Sequence, residues 1–265
     1  MTDSARAATQ DSTQDPSRDF TEDAFLGGQL RLRQPRSGHR AGHDAMLLAA
    51  ATPARAGDCV VEFGAGVGAA GLAVARRVAG IKLVLVEIDA DLAALARENA
   101  AANAIAADAV VLDVASAAPA FAAAGLGPDS VDVVLMNPPF NDAIRHRASP
   151  DKALAHVADA STLENWIHAA RRILKSGGVL CLIWRADGIA EVLAALDRGF
   201  GSLAILPVHG DAGKPAIRVL VRAVKGGKAP AQILAGLMLN DESAVPDRRV
   251  QDILAGKGVL PLAIP

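Results

Sequence analysis

From position 58 onward, short apolar or β-branched runs alternate with amphipathic or alanine-rich stretches, each pair separated by a turn. The spacing predicts strands at residues 59–63, 81–86, 110–112, 131–136 and 179–184. It predicts helices at 69–78, from the cap Asp89 or Asp91 toward Asn103, at 163–174 and at 188–196. Arg76 and Arg77 fall in the last turn of the first of these helices, where they complement its dipole. The run 131–136 is almost wholly apolar, as expected of a strand buried on both faces of a parallel sheet. Ser176-Gly177-Gly178 turns the chain before the run at 179–184. The runs at 203–208 and 216–224 are joined by seven residues including Gly210, Gly213 and Pro215, too few for a crossover helix, so they should pair antiparallel. This is the pattern of one doubly wound α/β domain over residues 58–230, with no internal repeat. Residues 231–265, with Pro246, Pro261 and Pro265, form an extension expected to pack on that domain.

Composition narrows the class. The chain has 265 residues, with 27 basic against 29 acidic and a net charge of −2, so no global positive field draws it to nucleic acid. Of the 51% hydrophobic residues many are alanine, and no run approaches the roughly 18 apolar residues a membrane helix requires. Two cysteines, Cys59 and Cys181, cannot build a disulfide framework or a four-ligand zinc site, and they suit a reducing, cytoplasmic compartment. Residues 1–24 carry six acids and no apolar core, which argues against a signal peptide and for a disordered tail.

The first predicted strand runs into Glu62-Phe63-Gly64-Ala65-Gly66-Val67-Gly68 and then a helix. Glycines at such a turn let the backbone approach a ligand and present amide donors at a helix N-terminus. Gly66-Val67-Gly68-Ala69-Ala70-Gly71 formally satisfies the dinucleotide pattern, so a nicotinamide-dependent oxidoreductase is an alternative. Glu62, however, stands where it could accept from an ammonium group rather than beside a pyrophosphate. Glu87, directly after the second strand, is placed to accept the hydroxyls of a ribose, while Asp89 reads as a helix cap. Asp113, after the third strand, could accept an adenine amine or close a loop.

The fourth strand ends in Asn137-Pro138-Pro139-Phe140. Two prolines stop the ladder and leave the Pro138 carbonyl beside the Asn137 side chain, a pair able to accept both hydrogens of a planar amine while Phe140 stacks on its base. With these motifs the sequence resembles class I S-adenosylmethionine-dependent methyltransferases of the amino-methylating type, and the resemblance covers nearly the whole chain from Phe25. It implies a Rossmann-like seven-stranded sheet, mostly parallel, with a terminal antiparallel hairpin strand. It implies S-adenosylmethionine as cofactor, held by Glu62, Gly64, Gly66, Gly68, Glu87, Asp113 and Asn137, with Asn137, Pro138, Pro139 and Phe140 as the catalytic motif.

Upstream, residues 37–48, including Gly42-His43-Asp44-Ala45, resemble the segment that precedes the domain in bacterial tRNA(Val) adenine-N6 methyltransferases, with His43 in place of a threonine. The resemblance implies that residues 25–57 cap the cofactor site and that Gly42 and Asp44 lie at its methionine end. The implied acceptor is adenine N6 in tRNA; ribosomal RNA guanine-N2 enzymes resemble the pattern too, and an inactive nucleic-acid-binding module is a third reading.

Basic residues cluster in three places. Arg31, Arg33, Arg36, His39 and Arg40 precede the domain, and Lys214, Arg218, Arg222, Lys225 and Lys228 follow along the hairpin, either as phosphate contacts or as ordinary solvated charge. Arg145, His146, Arg147 and Lys152 follow the catalytic motif, and Arg145, Arg147 and Lys152 are the expected RNA contacts together with Phe140. No histidine spacing marks a metal site, and the implied reaction requires none.

Overall fold

A computed structural model of the chain describes residues 20–37, 40–139, 152–240 and 245–264, with residues 152–160 described in their backbone alone. Two strands, β1 (Phe20–Phe25) and β2 (Leu30–Pro35), come first among the described residues and are followed by helix α1 (His43–Ala51). The alternating series runs β3 (Cys59–Phe63), α2 (Ala69–Arg77), β4 (Lys82–Glu87), α3 (Ala90–Ala102), β5 (Ala107–Val111), α4 (Ala118–Ala123), β6 (Val131–Met136), α5 (Lys152–Ile173), β7 (Leu174–Arg185) and α6 (Ile189–Leu196). The hairpin strands β8 (Phe200–His209) and β9 (Ala216–Lys225) follow, and the extension supplies β10 (Gln232–Ile233), β11 (Leu237–Met238) and α7 (Arg248–Leu254).

Residues along each strand alternate between two cores, as a period of two requires. Val60, Leu83, Leu85, Val133 and Leu135 face the layer of α1, α2 and α3. Val61, Val84, Val86, Val134 and Met136 face the layer of α4, α5 and α6, where Phe121, Leu163, Ile167 and Val192 meet them. Among the described residues no helix is long and apolar enough to cross a membrane.

The expected seven strands run in the order β5-β4-β3-β6-β7-β9-β8, parallel except for β9, which pairs antiparallel with both β7 and β8. Among the described residues the sheet nevertheless has nine strands, a correction to the expected seven. Strand β8 would otherwise expose an unpaired ladder, and the extension runs parallel to it twice, with Leu234 N donating to Ile205 O at 2.7 Å and Leu239 N to His209 O at 2.8 Å.

The N-terminal boundary also moves. β1 begins at Phe20, inside the tail drawn to residue 24, because it pairs antiparallel with β2. That hairpin is seated by two asparagines four residues apart, Asn99 of α3 and Asn103, the C-cap of the same helix. Asn103 accepts from Arg31 N at 2.9 Å and donates to Arg31 O at 2.6 Å, and Asn99 accepts from Arg33 N at 2.8 Å and donates to Arg33 O at 3.1 Å. Their amides stand in for the missing strand along β2, whose Leu30 and Leu32 are buried. β7 starts at Leu174, before the expected turn, with the ladder to β6 irregular between Val131 and Val133 and Gly177 at positive φ.

Candidate active site at the strand ends

Strand register assembles the site. β3 lies between β4 and β6 with Phe63 opposite both Val86 and Met136, so Gly64, Glu87 and Asn137 emerge side by side at one edge of the sheet. Glu87 in turn lies opposite Val111, which brings Asp113 to the same row. The chain order reverses between β3 and β6, and this is where open α/β sheets bind ligands.

Gly64, Gly66 and Gly68 all have positive φ, a backbone that favours glycine. Their surroundings differ. A Cβ on Gly64 would collide with the Trp166 ring, and one on Gly68 would press on Leu85 and Leu72 at 3.0 and 3.1 Å, whereas one on Gly66 would meet nothing within 4 Å. Gly66 is thus the glycine of the loop that faces open space.

Glu87 is buried and fastens this loop: Oε2 accepts from Gly66 N at 2.7 Å, and Oε1 accepts from Ile88 N at 2.8 Å and Asp89 N at 3.0 Å. Asp89 caps α3 as expected, accepting from Asp91 N and Leu92 N. The Glu62 carboxylate is buried against the first turn of α2, where Oε2 accepts from Gly71 N at 2.7 Å. Burial pushes its carboxyl up to about 8; the amides of Gly71 and Ala70 oppose this, and the neighbouring Glu87 adds to it. Asp113 is exposed and accepts from Ala115 N at 2.8 Å, closing its own loop. At the end of β6 the Asn137 Oδ1 is buried and has no hydrogen-bond partner among the described residues. An amide oxygen left so is a costly feature unless something supplies a donor.

Gly42 precedes α1 and is exposed, and Asp44 in its first turn accepts from Arg218 Nε of β9 at 3.1 Å. Arg218 lies opposite Arg185, the last residue of β7, so Asp44 stands at the same edge of the sheet but two strands beyond Asn137. Phe140, Arg145 and Arg147 lie outside the described residues, and Lys152 is described only as the start of α5.

Three contributors escaped the sequence reading. Trp166 of α5 covers Gly64 and meets Phe63 edge-on at 6.3 Å. Asn99 reaches past β2 to donate to Val67 O in the glycine loop at 3.1 Å. Arg185 is buried, with Nη2 donating to Glu191 Oε1 at 2.7 Å; the one signal for it was a cation closing an apolar run. The N-terminal and hairpin cations, by contrast, are largely committed within the chain. Arg31 pairs with Glu22, Arg33 with Glu98, Arg40 with Asp23, Lys214 with Asp211 and Lys225 with Asp129. Arg222 holds the carbonyls of Leu262 and Ile264.

Comparison with known proteins gives a consistent picture. The model of the family described as "Methyltransferase small domain" matches residues 37–209. A tRNA1(Val) (adenine(37)-N6)-methyltransferase of Aeromonas hydrophila is 29% identical over 204 residues, 76% of this chain and 84% of that protein. A crystal structure from Agrobacterium tumefaciens, described as a predicted O-methyltransferase, is 32% identical with a TM-score of 0.68, covering 82% of this chain and 98% of that one. The T. thermophilus 16S rRNA N2 G1207 methyltransferase, solved with AdoMet and guanosine, shares the fold at 22% identity and a TM-score of 0.53, over 78% of this chain and 50% of its own.

Proposed function

The chain belongs to the methyltransferase small domain family, and from that premise we propose that it transfers a methyl group from S-adenosylmethionine to the exocyclic amine of a nucleic-acid base. Adenine N6 in a tRNA is the leading acceptor, in line with the relatives that match most of the chain, and a cytoplasmic setting follows from that substrate. Family membership sets the nicotinamide-dependent alternative aside.

The strand-end row fits this cofactor. Gly66 offers an open α-carbon beside a buried carboxylate, Glu87, whose oxygens can take ribose hydroxyls in addition to the loop amides. Glu62, raised to about 8, is mostly protonated near neutrality, and an ammonium group brought beside it would draw it back to the charged form. The pair Asp44–Arg218 would hold the Gly42–Asp44 segment at the same edge. When bound, S-adenosylmethionine supplies a methyl group on a positively charged sulfur, open to in-line attack.

The observation that carries the reading is the buried Asn137 Oδ1, which has no partner among the described residues. An exocyclic base amine is a poor nucleophile because its lone pair is delocalised into the ring. Acceptance of its two hydrogens by Asn137 Oδ1 and the Pro138 carbonyl draws the nitrogen toward a pyramidal, attacking geometry, and Phe140 would stack on the extruded base. Incubation with isotope-labelled cofactor and, separately, total tRNA, ribosomal RNA, DNA and protein, followed by nucleoside and amino-acid mass spectrometry, tests this. N6-methyladenosine in tRNA is expected. N2-methylguanosine in ribosomal RNA would move the acceptor to guanine with the chemistry unchanged, and label on protein glutamine alone would refute a nucleic-acid substrate.

A further inference from the structure

Two features of the chain are unused by this reading: His43, which replaces a threonine of the resembled segment, and the extension beyond residue 230. The structure brings them together. His43 faces Asn240, Pro246, Val250, Gln251 and Leu254 across a cleft of about 540 Å³, within the range of small-molecule sites. The cleft opens on the active edge of the sheet. β8 runs parallel to β7, its last residues Val208 and His209 pair with Leu237 and Met238, and the chain therefore emerges into the cleft at the strand-end edge that also presents Asn137. His43 itself adjoins Asp44 of the cofactor-capping segment.

We propose that this cleft receives a nucleotide flanking the methylated base, an inference that rests on the RNA substrate proposed above. Its chemistry matches that occupant. Val250, Leu254 and Pro246 supply apolar surface for a base face; the Asn240 Nδ2 already donates to Asp211 Oδ1 at 3.0 Å and the Gln251 Nε2 to the Pro246 carbonyl at 2.7 Å, which leaves their amide oxygens and the His43 imidazole for base edges. Arg248 and Arg249, in the turn of α7 just before Val250, are exposed, and neither guanidinium has a partner among the described residues, whereas Arg31, Arg33, Arg40 and Arg218 each hold a carboxylate. The nearby Asp247 carboxylate is engaged as the cap of α7, accepting from Arg249 N at 2.7 Å. Two uncommitted cations beside a base-sized cleft are the arrangement that grips a nucleotide through its phosphates.

The test uses the full chain with the RNA it methylates, comparing wild type with the double variant Arg248→Glu/Arg249→Glu and with Gln251→Trp, an exposed position that the indole would use to fill the cleft. The double variant should raise the KM for RNA about tenfold and flatten the dependence of log KM on log salt by about 1.4, the change expected for two lost single-strand phosphate contacts. Gln251→Trp should raise KM about fivefold with the salt slope unchanged. In both, kcat at saturating RNA and the affinity for S-adenosylhomocysteine should stay within about twofold of wild type. A KM within about twofold of wild type in both variants would overturn the assignment. A wild-type chain that methylates no RNA overturns the substrate reading and this inference together, and that control separates the two failures.

Discussion

Glu62→Gln replaces a buried carboxyl with an isostere that does not titrate. In the folded chain the carboxyl stands at about 8 against an ordinary 4.5, chiefly because burial disfavours the anion. The folded state therefore keeps a proton that the unfolded chain has released. The stability tied to that proton is fully present below about pH 4.5 and is lost as pH rises to about 8, beyond which the penalty is constant. Inside the window the slope is about 1.4 kcal/mol per pH unit, and across it the sum is about 5 kcal/mol. Any cost of the new amide is independent of pH and drops out of the slope. Urea unfolding of both proteins at about pH 5.5, 6.5 and 7.5 measures it. The stability of Glu62→Gln relative to wild type should climb with pH by roughly 1 kcal/mol per unit averaged over this series. A difference constant across the series would show that the carboxylate is already ionised in the fold and would remove the argument that a ligand ammonium draws it back to charge.

Glu87→Ala should weaken S-adenosylhomocysteine binding by about 2–4 kcal/mol, because it removes the proposed ribose acceptor and orphans the amides of Gly66, Ile88 and Asp89. Calorimetric affinity unchanged within twofold would leave it as a loop fastener only. Gly66→Ala should cost about 1 kcal/mol in folding, from its positive φ, and far more in cofactor affinity, because the methyl enters open space; Gly64→Ala should lose mainly folding stability against Trp166. Equal partition of the two effects in both variants would contradict the contrast. Asn99→Ala should destabilise by about 2–4 kcal/mol and raise hydrogen exchange in β2, and unchanged exchange there would show that the hairpin is held otherwise.

The parts of the fold legible in the sequence are those set by local signals. The apolar runs gave β3, β4 and β6 within a residue, and the side chain of Asp89 marked the start of α3 because a cap acts only on the amides that follow it. Candidate site residues were found wherever a strand ended in a polar side chain, as at Glu87 and Asn137, because strand ends in a parallel sheet converge. What escaped depended on distant partners. Leu30-Arg31-Leu32-Arg33 alternates as a strand should, but its pairing needs Asn99 and Asn103 from a helix far along the chain. The two extra strands in the extension are two residues each, too short for any periodicity, and exist because β8 has an edge to cover. The basic residues of the hairpin read either as phosphate contacts or as solvated charge until their carboxylate and carbonyl partners appear in three dimensions.

The central claim is the proposal that Asn137 acts chiefly on the reacting nitrogen, over and above any part it takes in holding the cofactor. The direct measurement is single-turnover methyl transfer to the RNA substrate by wild type and Asn137→Ala, with S-adenosylhomocysteine affinity determined on the same preparations. The account predicts a loss of turnover of about a hundredfold or more with cofactor affinity within about threefold, because the buried Oδ1, which meets no donor among the described residues, is the group proposed to receive the amine. Turnover retained within about fivefold, or lost only in proportion to a fall in cofactor affinity, would contradict it.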